Sequence, residues 1–152
     1  DTDRSRGLGD VYKRQTTTLG GAEAGAFDQA ITKTDPAMVM MSLATYQSID
    51  PNNPAVFSST IIDGHIRNAL KYTGVVISDS MSAEALSSYD VSQLGVKLVE
   101  AGGDMSCIGQ TDYVKPIVDG LNERAKSDPA FASKVTAAAT RVMALKIKMG
   151  LA

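Results

Sequence analysis

Two carboxylates, one imidazole and one thiol are the side chains here whose type and setting admit chemistry. Asp79 closes the apolar run Val75–Ser78. A carboxylate at the C-terminal end of a parallel strand lies where α/β folds hold their ligands. It can equally cap the turn into the next segment, and spacing alone leaves both roles open. Asp104 stands at the other end of its own strand, before Met105, and reads as structural. His65, the single histidine, borders the apolar stripe of a helix and reads as a half-packed or solvated ring. Cys107, the single cysteine, lies within an apolar run and reads as a small core hydrophobe, and Met38, Met40 and Met41 read as core filler. One cysteine excludes a disulfide framework, and one histidine argues against a His-ligated metal site. Gly102-Gly103 sits in no G-x-G-x-x-G or P-loop pattern and reads as a helix C-cap, so no cofactor is expected.

The elements that must position these residues alternate helix and strand. Ala22–Lys33 forms a helix that stops by Asp35-Pro36, because a residue before proline disfavours the helical region. Met38–Ser42 is a continuous apolar run, as in a strand buried on both faces. A long loop with Pro51 and Pro54 follows. Ser58–Thr60 caps a helix with the stripe Ile62, Ile66, Ala69 and Leu70, and Gly74 suits the position past its end. The strand Val75–Ser78 leads through a small-residue loop to a helix with a capping box at Asp90 and Gln93. Asp104–Gly109 makes a third strand. Asp112 caps a helix with the face Val114, Ile117, Val118 and Leu121. Asp128-Pro129 opens a last helix carrying Phe131, Val135, Ala138, Val142, Leu145 and Met149.

Strand starts at 38, 75 and 104, each followed by a helix, give the βαβ rhythm of a parallel sheet. A full (β/α)8 barrel takes roughly 250 residues, so the fold class is α/β and a barrel here is a partial one. The 15 basic and 17 acidic residues balance to a net charge of −2, which offers no footprint for nucleic acid and no polybasic patch for a membrane surface. No apolar run reaches the roughly 20 residues that span a bilayer. Residues 1–15, whose string RGLGDVYKRQ resembles translated adaptor sequence, are expected to be a non-native or disordered leader, with 16–152 as the folded unit.

Four pieces in order carry a resemblance. They are a strand leading into Y-x-x-I-D-P (Tyr46–Pro51), L-x-x-x-G-V-V-I-S-D (Leu70–Asp79), A-G-x-D (Ala101–Asp104) and the terminal L-K-x-x-x-G-L (Leu145–Leu151). Residues 20–152 resemble the C-terminal part of the catalytic barrel of glycoside hydrolase family 3, and more narrowly its single-domain β-N-acetylhexosaminidase branch. The resemblance implies the last three strands of a (β/α)8 barrel and makes Asp79 the nucleophile of a retaining glycosidase. It also implies that Ser42, Ser80 and Met81 border a carbohydrate substrate. The acid/base of that branch, a histidine paired with an aspartate on an upstream loop, has no counterpart here, so the chain alone is expected to be inactive. Leu43 and Ser80 stand where many relatives carry His and a second Asp. Relatives are cytoplasmic in some bacteria and exported in others, which leaves the compartment open.

Two rivals exist. Two-domain β-glucosidases of the same family usually carry Trp after the nucleophile, where this chain has Ser80-Met81. A phosphoacceptor receiver module also ends a strand with Asp, and Lys115-Pro116 mimics its Lys-Pro. It requires an adjacent acidic pair, and none occurs in the chain. Three strands cut from a barrel expose two sheet edges, through which the chain is expected to self-associate.

Overall fold

A computed structural model describes residues 17–152, so the leader expected over residues 1–15 lies outside the described residues. The three apolar runs pair in parallel as β1 (Met38–Met41), β2 (Val75–Ser80) and β3 (Met105–Cys107), in the order β1-β2-β3. Around them lie α1 (Ala22–Thr34), a π-helix (Thr60–Ala69), α2 (Val91–Ala101), α3 (Val114–Ser127) and α4 (Pro129–Lys148). The α/β reading with a parallel sheet holds. Short 3-10 turns occupy Ala55–Phe57, Glu84–Leu86 and Thr111–Tyr113.

Local chemistry explains most boundaries. Asp35, with φ of 43°, ends α1 in the left-handed region one residue before Pro36. Asp128 accepts from the N–H groups of Ala130 and Phe131, with Pro129 in the first turn of α4. Gly102, with φ of 102°, closes α2 and sends its N–H to Leu98 O. Asp90 caps α2 through the Ser92 N–H, but the Gln93 side chain turns to Ser92 Oγ instead of completing a capping box. Asp112 falls inside the 3-10 turn, and α3 starts after Tyr113 with no side-chain cap.

The stretch 60–69 departs from the expected α-helix. The N–H of Gly64 reaches Ser59 O and that of Leu70 reaches His65 O, both five residues back. The wider turn buries Ile61 with Ile62 and Ile66 and leaves Ala69 exposed, so the expected stripe is shifted. Ser58 Oγ accepts the Ile61 N–H at its start. At its end Lys71, not Gly74, takes the left-handed conformation. Gly74 answers a different demand, because a Cβ there would lie 2.3 Å from Tyr72 Oη, whose hydroxyl donates to Pro36 O.

Helices cover one face of the sheet. Val76 and Ser78 on that face are fully buried, with Ile62, Leu94 and Leu98. On the other face the register sets Met40, Ile77 and Met105 side by side in one row. There Met40 is 60% exposed and Met38 38% exposed, while Met41 alone of the three methionines is core. The expectation that β1 is buried on both faces, with its methionines as core filler, is therefore corrected. Cys107 is likewise only half-buried, because it ends a strand at the sheet edge. Helix α3 packs through Ile117 and Gly120 against α2 and exposes Val114 and Val118, so only part of its expected face is covered. Met149, expected on the packed face of α4, is also exposed.

Candidate active site

The parallel strands bring Ser42, Asp79, Ser80 and Gly109 to one rim, the C-terminal ends of β1, β2 and β3. Strand β2 runs two residues beyond the expected Ser78, so Asp79 and Ser80 are its last residues. The ladder to β3 is irregular at this point. Ile77 pairs with Met105 and Ser80 with Cys107, three steps on β2 against two on β3. An unbroken ladder would set Asp79 opposite Cys107. The bulge sets Ser80 there and leaves Ser78 and Asp79 together opposite the single residue Ser106.

Asp79 is half-buried, and its Oδ1 accepts the Ser80 N–H at 2.7 Å. That bond is the local turn-capping role open from the sequence, and among the described residues it is the one hydrogen bond to this carboxylate. No lysine or arginine forms an ion pair with Asp79 among the described residues. Ser80 Oγ lies 3.0 Å from Ser82 Oγ, which accepts the Gly109 N–H, so the rim segments after β2 and β3 are joined by hydroxyls. A Cβ on Gly109 would meet Ser82 Oγ at 2.9 Å, which explains a residue without a side chain at that crossing. Met81 is 1% exposed and belongs to the core rather than to the open rim. Ser42 Oγ accepts the Ala44 N–H, and Ser42 O accepts the Val56 N–H, folding the long loop back onto β1.

That loop is tied by Asp50, which receives the Ser58 hydroxyl at 2.7 Å, the Asn53 amide and the Asn52 N–H. Burial pushes the Asp50 carboxyl up, but these hydrogen bonds outweigh it and hold it below the usual carboxylate range. The Asp-Pro-Asn-Asn string is the signal that could have located this turn in the sequence.

Two further side chains singled out in the sequence sit away from the rim. His65 Nε2 lies 2.8 Å from Asp28 Oδ1 of α1, which makes it the half-packed residue anticipated and ties two helices together. Asp104 keeps the structural role read for it. Its carboxylate has no exposed surface and is held by Arg67 and Arg141. A mostly apolar cavity of about 330 Å³ opens between α1, β1 and the π-helix, lined by Phe27, Ile31, Met40, Tyr46 and His65, and Asp79 takes no part in it. No group of His, Cys, Asp or Glu that could hold a metal ion is found among the described residues.

Comparison with known proteins sets this rim in context. A family model described as the glycosyl hydrolase family 3 N-terminal domain matches residues 3–145. Among solved structures, the chain is similar to a β-N-acetylhexosaminidase from Beutenbergia cavernae, with 33% identity and a TM-score of 0.80 over 90% of this chain and 42% of that one. It is similar to a family 3 β-N-acetylglucosaminidase from Paenibacillus sp., with 27% identity and a TM-score of 0.81 over 93% and 27% of the two chains. A sequence from Arthroderma benhamiae, described as an uncharacterized secreted glycosyl hydrolase, is 36% identical over 69 residues, 20% of its own length. The chain thus spans less than half the length of each of these three proteins.

Proposed function

Because the chain belongs to glycoside hydrolase family 3, we propose that it carries the nucleophile-bearing part of a retaining β-N-acetylhexosaminidase, with Asp79 as the nucleophile. The observation that carries this reading is the place of Asp79, a half-buried carboxylate at the C-terminal rim of a parallel strand, within a bulge. The three strands correspond to part of a TIM-barrel-type domain, the architecture of the similar structures. Carbohydrate is the substrate class, and N-acetylglucosaminides are the members suggested by the names of those relatives.

In a retaining reaction a carboxylate oxygen of Asp79 attacks the anomeric carbon as the bond from that carbon to the leaving oxygen breaks. A second group donates a proton to the leaving oxygen, and water then hydrolyses the glycosyl ester. When that second group is a carboxylate, it stands about 5–5.5 Å from the nucleophile. Glu84, on the 3-10 turn just past the rim, is exposed and its Oε1 receives the Ser87 hydroxyl. The resemblance instead assigns the proton donor to an upstream loop of the barrel.

The test joins these residues to the remainder of such a barrel and treats the protein with a fluorinated N-acetylglucosaminide inactivator. The label is expected on the peptide containing Asp79, and Asp79→Asn is expected to lower turnover by several orders of magnitude. A label on Asp50 or Glu84 would refute the assignment.

A further inference from the structure

Two strands that fall out of step beside a nucleophile need something to hold the misfit in one arrangement. Between the pairs Ile77–Met105 and Ser80–Cys107, β2 carries one residue more than β3. Such a bulge can in principle migrate along the strand, and each one-residue slip sends the side chains to the opposite face. Ser78, the residue before Asp79, is fully buried, and its hydroxyl oxygen accepts the Cys107 N–H at 2.9 Å. A side chain of β2 therefore takes a backbone group of β3 at the point where the register breaks. On the far side of the bulge, the Met81 N–H donates to Cys107 O at 2.9 Å. Cys107 is thus gripped from residues 78 and 81, and Asp79 lies between them.

We propose that Ser78 is a positioning residue, whose hydroxyl locks the bulge in place and so fixes Asp79, the next residue of the bulge, at the rim. This rests on the reading of Asp79 as the reacting carboxylate for its functional meaning, but not for its geometry. A hydroxyl on a fully buried strand residue is costly unless it is bonded, and here the bond is made to the strand that must stay out of register. Alanine at the position would keep the strand and its burial but release the grip from residue 78. Threonine would keep the hydroxyl.

The experiment uses the full chain and its Ser78→Ala and Ser78→Thr variants, with amide hydrogen exchange read at Cys107 and at Asp104. The Asp104 N–H donates to Val76 O at 2.9 Å, before the bulge, and serves as the internal reference. Ser78→Ala is expected to speed exchange at Cys107 by about tenfold or more while Asp104 changes little. The carboxyl carbon resonance of Asp79 is expected to move in the same variant, and Ser78→Thr is expected to restore both signals. Unchanged exchange at Cys107, equal loss of protection at both amides, or failure of threonine to restore either signal would overturn the proposal. The inactivator experiment separates this from the functional reading. A label away from Asp79, with the exchange result intact, removes the nucleophile and leaves the bulge lock standing. A label on Asp79, with unchanged exchange in Ser78→Ala, does the reverse.

Discussion

The carboxylate of Asp104 accepts the backbone N–H of Val76 at 2.8 Å, while the Asp104 N–H donates to Val76 O. A side chain at the start of β3 thus fixes the start of β2, three residues before Asp79. The same carboxylate holds Arg67 from the π-helix and Arg141 from α4, so one buried anion joins two strands and two helices.

Removing that anion leaves Arg67, whose side chain is 12% exposed, without its charge partner. Asp104→Ala is expected to cost about 3–5 kcal/mol, the range for breaking a buried pair from one side. Arg141, with 30% side-chain exposure, is the lesser partner, and Arg141→Ala is expected to cost clearly less. Urea unfolding of both variants checks the order, and equal losses would contradict it.

Glycine substitutions separate tight crossings from open ones. A Cβ on Gly120 would lie 2.0 Å from the backbone oxygen of Ser92, where α3 crosses α2. Backbone cannot swing aside, so Gly120→Ala is expected to cost about 1–3 kcal/mol or more. Gly25 in α1 has nothing within 4 Å of its Cβ, and Gly25→Ala is expected to stabilise by about 0.5–1 kcal/mol. Thermal unfolding should move in opposite directions for the two.

Asp50 supplies a pH dependence of known sign. Its carboxyl lies below the ordinary value of 3.8 in the folded chain, so the stability it contributes is present above that value. That contribution is lost as pH falls through the folded value. The stability difference between the wild type and Asp50→Asn is expected to be constant near neutrality and to shrink below about pH 4. A difference independent of pH down to the acid transition would mean that the Ser58 and Asn53 bonds contribute nothing to the charged form.

The uncovered face of the sheet is expected to make the chain associate with itself. Met38 and Met40 sit on an edge strand with unpaired backbone groups, beside the exposed Phe27 of α1. Sedimentation should detect oligomers, and Met40→Lys should shift the distribution towards monomer. A monomer for the wild type at tens of micromolar would refute this.

On the reading proposed above, with Asp79 as nucleophile and the proton donor on an upstream loop, no hydrolysis of aryl N-acetylglucosaminides is expected from the 152 residues alone, because a nucleophile by itself lacks much of the transition-state stabilisation. Turnover abolished by Asp79→Asn would show that an acid is present in the chain, with Glu84 the first to examine.

Features governed by adjacent residues were legible in the sequence. The stop at Asp35-Pro36, the Asp128-Pro129 start, the Gly102 cap and the placing of Asp79 at a strand end all depend on neighbours along the chain. What escaped depends on partners far away in sequence. The bulge exists only relative to β3, some 28 residues on, and the His65–Asp28 and Arg67–Asp104 pairs each span 37 positions. Apolar periodicity also says which side chains could be buried, not how much protein is present to bury them. That is why Met40, which reads as core filler, and Val118, which reads as part of a helix's apolar face, both stand exposed.

The two anchors of the π-helix Thr60–Ala69 make this stretch intolerant of length change in a way that neighbouring segments are not. Within ten residues it must reach Asp28 with His65 and Asp104 with Arg67, anchors on two different elements. Deleting Ile66, the one residue between them, would make His65 and Arg67 neighbours and change the angle between their side chains by about 100°. Only one of the two side chains could then keep its carboxylate. Insertions and deletions in descendants of this gene should therefore collect in the proline-containing loop before Ser58, and the spacing from His65 to Arg67 should be preserved.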